Sequence, residues 1–136
     1  MATSDNVVRA GLTPKLRDVE TLIEMLTYEA GPASQQLLKP TPFEEGSSDL
    51  LYDPPIDEFS VVKISLGSDS TSSKSKQRAV DGPSICVVTK GSGSVTFGEG
   101  KEEVGKGDVV FVGAGTEVEW EGQEELEVFR AFVEVK

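Results

Sequence analysis

Gly107-Asp108-Val109-Val110-Phe111-Val112-Gly113-Ala114-Gly115-Thr116 reads as a short strand held between glycine turns. Four strong β-formers fill its centre, and glycine, having no Cβ, admits the backbone angles that tight turns need. The same pattern repeats outward in both directions. Towards the N-terminus lie Ser94–Phe97, Ser84–Thr89 and Phe59–Leu66. Towards the C-terminus lie Glu117–Trp120 and Leu126–Val135. Glycines at 91, 93, 98, 100, 105, 107, 113, 115 and 122 punctuate the series. Many short strands joined by glycine turns predict a mainly β fold, an antiparallel sandwich or jelly roll. The run Glu117-Val118-Glu119-Trp120-Glu121 alternates carboxylate and apolar side chains, the pattern of a strand with one buried face. A solvated sheet face explains its acids better than a calcium site.

Residues 107–116 also resemble the second sequence motif of the cupins, a strand followed by a glycine-containing turn. In metal-binding cupins a histidine stands three residues after the second turn glycine. Here that position is Val118, and the chain has no histidine at all. The resemblance therefore implies a cupin-like antiparallel jelly-roll barrel over residues 58–136 without metal-ligand histidines.

Upstream, the serine-rich stretch 67–78 is polar and reads as a loop. Residues 31–57 carry Pro32, Pro40, Pro42, Pro54 and Pro55 and read as a proline-rich connection, long for a compact domain. Before it, Val19, Leu22, Ile23 and Leu26 recur at i, i+3, i+4 and i+7, one apolar face of a helix. Asp18 is a suitable N-cap, and Gly31-Pro32 must stop the helix. The expected helix spans about residues 18–27. Three segments follow: a strand, loop and helix over 1–30, the connection over 31–57, and the barrel over 58–136.

Composition excludes several chemistries. Without histidine there is neither a Ser-His-Asp nor a Cys-His triad, and the commonest zinc ligand is missing. A metal site of carboxylates alone would suit magnesium or calcium and is the least favoured reading. The lone Cys86, inside Ile85-Cys86-Val87-Val88, reads as a small buried hydrophobe. The formal charge of −11 is concentrated after residue 40, where nineteen acidic face nine basic side chains. Such a surface repels nucleic acid and anionic membranes. Residues 1–40 carry four basic against five acidic side chains and are able to receive an anion. No apolar run is long enough to span a bilayer. MATSDNVVRA lacks the basic start and apolar core of a signal peptide, so a cytoplasmic protein is expected.

Ser4–Lys15, SDNVVRAGLTPK, contains an order of residues that no generic strand and turn requires. It resembles the active-site signature of the type I mannose-6-phosphate isomerases, and the helix after it resembles that family's continuation. The resemblance covers nearly the whole chain and identifies it as a C-terminal portion. It implies interconversion of mannose 6-phosphate and fructose 6-phosphate, which supplies GDP-mannose synthesis. A proton moves between C1 and C2 through a cis-enediol while negative charge grows on the sugar oxygens. Arg9 matches the catalytic arginine, whose fixed guanidinium stabilises that charge. Lys15 matches a lysine near the phosphate, while Asp5 and Asn6 read as turn-stabilising residues.

The family's zinc is held by glutamine, glutamate and two histidines that precede the signature. The resemblance thus implies that the zinc ligands and the N-terminal catalytic lobe lie outside this chain, which alone is expected to be inactive. Val7, Val8, Leu12, Leu22 and Ile23 would then present an uncovered apolar surface. The alternative is a stand-alone, non-catalytic cupin-like domain that binds a phosphosugar or a protein partner.

Overall fold

The glycine-punctuated strands form one antiparallel sheet in a computed structural model that describes residues 8–67 and 73–134. Ser4–Val7 of the signature and residues 68–72 of the serine-rich stretch lie outside the described residues. The chain divides into two units, Met1–Leu37 and Leu38–Lys136.

In the first unit, helix α1 (Val19–Met25) begins as its sequence predicts. Asp18 is the N-cap, its Oδ1 accepting from the Thr21 backbone N–H at 3.0 Å and its Oδ2 from the Thr21 hydroxyl at 2.7 Å. These bonds hold the Asp18 carboxyl below its usual value. The helix closes at Leu26, which turns extended, about one residue before the expected end. Seven residues make a marginal helix in water unless a face is packed. No α1 residue is buried, and Val19, Ile23 and Leu26 of the apolar face are exposed.

The second unit holds eight strands: β1 (Thr41–Pro42), β2 (Leu50–Tyr52), β3 (Ser60–Leu66), β4 (Lys74–Gln77), β5 (Ser84–Phe97), β6 (Gly100–Gly105), β7 (Val109–Val112) and β8 (Val118–Phe132). Its spine is the antiparallel pair β5–β8. On the far side of β8, β3 takes Leu126–Phe132 and β4 takes Val118–Glu121. On the far side of β5, β7 takes Ser84–Val87 and β6 takes Ser92–Phe97. The result is a curled, cupin-like half-barrel. Its core follows the two-residue period of strands: Val62, Ile64 and Leu66, then Cys86 and Val88, then Val118 and Trp120, then Leu126, Val128 and Phe132.

Four features depart from the sequence expectations. Thr41–Pro42 and Leu50–Tyr52 of the proline-rich connection extend the sheet beyond β3, because β3 offers them an open edge. Lys74–Gln77 of the serine-rich stretch is a strand, with Ser75 and Gln77 turned inward. The expected strands 84–89 and 94–97 are one strand whose register shifts at 88/90 and 91/93, and the expected strands 117–120 and 126–135 are likewise one strand, β8. Gly100–Gly105, poor in β-formers, becomes a strand through the tight turn Gly98-Glu99, with Gly98 at φ +56°.

Arg78 closes one end of the half-barrel. Its guanidinium pairs with Glu134, Nη2 donating to Oε2 at 2.8 Å, and lies 4.8 Å from the ring centre of Phe43, which meets Phe132 edge to face. The guanidinium hydrogen bond holds the Glu134 carboxyl below its ordinary 4.5. A depressed folded pKa gives stability that is present above the unfolded value and lost as pH falls through the folded one. The urea midpoint of the parent chain should therefore exceed that of Glu134→Gln at pH 7. The corresponding stability difference, under about 1 kcal/mol for so exposed a pair, should close on acidification below pH 4.5. A gap that stays constant across that range would remove the pair as its cause.

Candidate functional site

Arg9 lies in an irregular, half-buried segment ahead of α1. Its carbonyl accepts from the Asp18 backbone N–H at 2.8 Å, so residues 9–18 close into a loop on the helix N-cap. Within that loop the Lys15 backbone N–H donates to the Thr13 hydroxyl at 3.2 Å, fixing the turn through Pro14. Lys15 itself is exposed. The loop carries Arg9, Lys15 and Arg17 and no acid before Asp18, so it presents three positive charges in nine residues. That is chemistry for a phosphate or a developing oxyanion. The two nominated residues thus share one loop of the first unit, which came about because Asp18 serves both as cap and as closing partner.

The second unit contains a polar group that the sequence reading missed. Arg130 is fully buried, its Nε donating to Ser84 Oγ at 2.9 Å and its Nη1 to Gln77 Oε1 at 3.0 Å. Gln77 Nε2 in turn donates to Asp49 Oδ2 at 2.9 Å, and the Ser75 hydroxyl donates to the same oxygen. Burial lowers the Arg130 pKa. The signal was legible in part: Val128, Arg130 and Phe132 are two apart, so strand alternation turns Arg130 inward with its apolar neighbours. Asp49 carried no such signal, because it sits in the loop before β2 and meets β4 only across the fold.

Among the described residues the donors do not fit a zinc site. There is no histidine. Burial pushes the Cys86 thiol up to about 11, which disfavours the thiolate that binds metal. Acids on the outer face of β8 are taken by lysines: Lys74 Nζ lies 3.0 Å from Glu121 and 3.6 Å from Glu119, and Lys76 Nζ lies 3.1 Å from Glu117. Among the described residues no three His, Cys, Asp or Glu gather as a metal cluster. Nor, among them, is any helix long and apolar enough to cross a membrane.

Comparison with known proteins agrees with the half-barrel. The phosphomannose isomerase type I C-terminal family matches residues 50–99, from β2 through β5 and the turn after it. The mannose-6-phosphate isomerase of Cryptococcus neoformans is 61% identical over 135 residues, which are 98% of this chain and 30% of that protein. That of Aspergillus fumigatus is 46% identical over 147 residues, 99% of this chain and 32% of that protein. Among solved structures, mannose 6-phosphate isomerase from Salmonella typhimurium bound to fructose 6-phosphate and zinc aligns with a TM-score of 0.72 at 27% identity, covering 99% of this chain and 32% of that one. A zinc-bound mannose 6-phosphate isomerase aligns at 0.70 and 25% identity, covering 96% and 31%. The chain spans about a third of the length of the relatives it matches. Identity of 46–61% to the fungal enzymes along 98–99% of this chain, the family match through β2–β5 and the shared half-barrel place this chain in the type I phosphomannose isomerase family, as a C-terminal portion.

Proposed function

We propose that this chain serves as the C-terminal portion of an enzyme that interconverts mannose 6-phosphate and fructose 6-phosphate in the cytoplasm, feeding GDP-mannose synthesis. The observation that carries the reading is 61% identity to a mannose-6-phosphate isomerase over a stretch that covers 98% of the chain. In it, residues 1–30 supply one wall of the substrate site, and the half-barrel, whose sheet takes in β1 and β2 from the proline-rich stretch, forms the second unit. Arg9 stabilises negative charge on the sugar oxygens as the proton moves between C1 and C2. The Asp18–Arg9 backbone bond fixes the main chain from which the guanidinium extends, and a guanidinium brought to that charge stabilises it electrostatically. Lys15, exposed on the same loop, attracts the phosphate end as a point charge. Zinc belongs to other residues of the intact enzyme, since the donors here do not suit it, and the chain alone turns over no substrate.

A coupled assay tests this. The 136-residue chain with mannose 6-phosphate and added zinc should give no turnover. Joined behind the N-terminal two thirds of the Cryptococcus neoformans isomerase, it should support isomerisation, and Arg9→Ala should lower kcat by about 100-fold or more. Turnover by the chain alone, or an Arg9→Ala chimera of undiminished kcat, would sink the reading. Fructose 6-phosphate binding to the isolated chain, lost in Arg9→Ala, would instead favour a stand-alone phosphosugar-binding domain.

A further inference from the structure

Residues 85–88 of β5 and the whole of β7 are apolar on both faces. Inward, Cys86, Val88 and Val112 enter the core. Outward, Ile85 stands opposite Phe111 and Val87 opposite Val109. These outward residues remain open, with Ile85 51%, Val109 64% and Phe111 69% exposed. The same face continues onto β8, where Ala131 lies opposite Ile85 and Phe129 opposite Val87. At its end a shallow depression of about 240 Å³ is lined by Phe59, Pro83, Ile85, Phe111, Ala131 and Val133. All of these residues belong to the second unit, so the face is a property of the half-barrel itself.

An antiparallel strand that meets water on one side alternates apolar and polar residues; strands apolar on both sides are those covered on both sides. Elsewhere this sheet obeys the alternation. The outer face at the β4–β8 end carries Lys74, Lys76, Glu119 and Glu121 in ion pairs. The apolar face is thus local, and a contiguous apolar area of this kind marks a docking surface. Two observations choose its occupant. The relatives that this chain matches over 98–99% of its own length are about three times longer, so most of their polypeptide lies outside the half-barrel. And the chain carries a formal charge of −11, so two copies repel one another.

We infer that the outward face of β5, β7 and the adjoining end of β8 is the seat of the N-terminal two thirds of the isomerase, which meets it with an apolar surface of its own. The inference rests on the reading of the chain as a C-terminal portion. It assigns Ile85, Val87, Val109 and Phe111 to holding the enzyme together rather than to folding the half-barrel.

Thiol labelling tests it at neutral to mildly alkaline pH, where buried Cys86 reacts slowly in the isolated chain. Phe111→Cys and, separately, Val109→Cys are placed in the 136-residue chain and in the Cryptococcus chimera, with the chimera lacking either change as the baseline. Both sites should label quickly in the chain alone and at least tenfold more slowly in the chimera. Lys76→Cys, on the polar end of the sheet, should label alike in both. Equal rates at 109 and 111 in chain and chimera would overturn the inference. So would labelling of the isolated chain that slows as protein concentration rises, because the occupant would then be a second copy. Turnover by the unmodified chimera is read separately. An inactive chimera with protected thiols defeats the functional reading and keeps the interface; an active one with open thiols does the reverse.

Discussion

Gly91→Ala should leave the half-barrel unfolded, or nearly so, under conditions where the parent chain is folded. Gly91 lies where β5 shifts register against β8, at φ +73°. A Cβ built there falls 1.3 Å from the carbonyl oxygen of Glu125. That oxygen belongs to the backbone of the other spine strand and cannot rotate away as a side-chain tip would. Relief requires separating β5 from β8, the pair on which every other strand of the sheet is hung directly or through a neighbour. The cost should exceed about 4 kcal/mol, a large share of the stability of an ordinary domain. Gly107→Ala isolates the backbone contribution. It has a comparable positive φ of +97° but nothing within 4 Å of the added Cβ. Its cost should be only about 1 kcal/mol. Urea unfolding followed by the fluorescence of the single, buried Trp120 reads both variants. Equal midpoints for the two would remove the close approach as the cause.

The second large effect is expected at Asp49→Ala. Asp49 Oδ2 is the shared acceptor for Ser75 and Gln77, both buried on β4, and Gln77 passes the chain of bonds on to buried Arg130. Alanine leaves a hydroxyl and an amide donor without acceptors in the interior and removes the carboxylate that stands nearest to Arg130 along this bonded chain. Breaking a buried polar network by taking out one member costs about 3 kcal/mol, more than the net worth of the bonds themselves. Strand β4 should loosen first, since it has only four residues of pairing with β8 and Asp49 clasps it from the loop before β2. Amide exchange at residues 74–77 should quicken more than exchange in β3. Asp49→Asn keeps one acceptor oxygen and should recover part of the loss. A variant Asp49→Ala with unchanged urea midpoint would mean that the network contributes little.

Several parts of the fold were legible because their signals are local. Glycine turns and β-formers at 84–89, 94–97, 109–112 and 126–135 need no knowledge of distant partners, though the last strand ends earlier, at Phe132. The Asp18 cap is equally local, three residues from the amide that it serves. The strands that escaped sequence reading are those whose β structure is conferred by a neighbour. Lys74–Gln77 and Gly100–Gly105 have weak intrinsic preference and exist because β8 and β5 offer unpaired edges. Leu50–Tyr52 looked like part of a connection because prolines flank it, and its pairing with β3 is non-local. The site divides the same way. Arg9 and Lys15 were nominated from a contiguous stretch, and the hydrogen bond from Asp18 that closes their loop spans only nine residues.

The sequence by itself determined the β class, the cap and start of the helix, the family through Ser4–Lys15, and the absence of histidine from any metal site this chain could offer. Each is written in residue type and short spacing. Only the tertiary structure decided which residues meet across the fold. It brought Asp49, from a loop, into one buried chain with Gln77 and Arg130, and it set the Gly91 backbone against Glu125. It also turned Ile85, Val109 and Phe111 to the outside while equally apolar Cys86, Val88 and Val112 went in. The physical reason is that burial and hydrogen bonding are settled by neighbours distant in sequence, and hydrophobicity alone does not say which of two apolar faces the core will take.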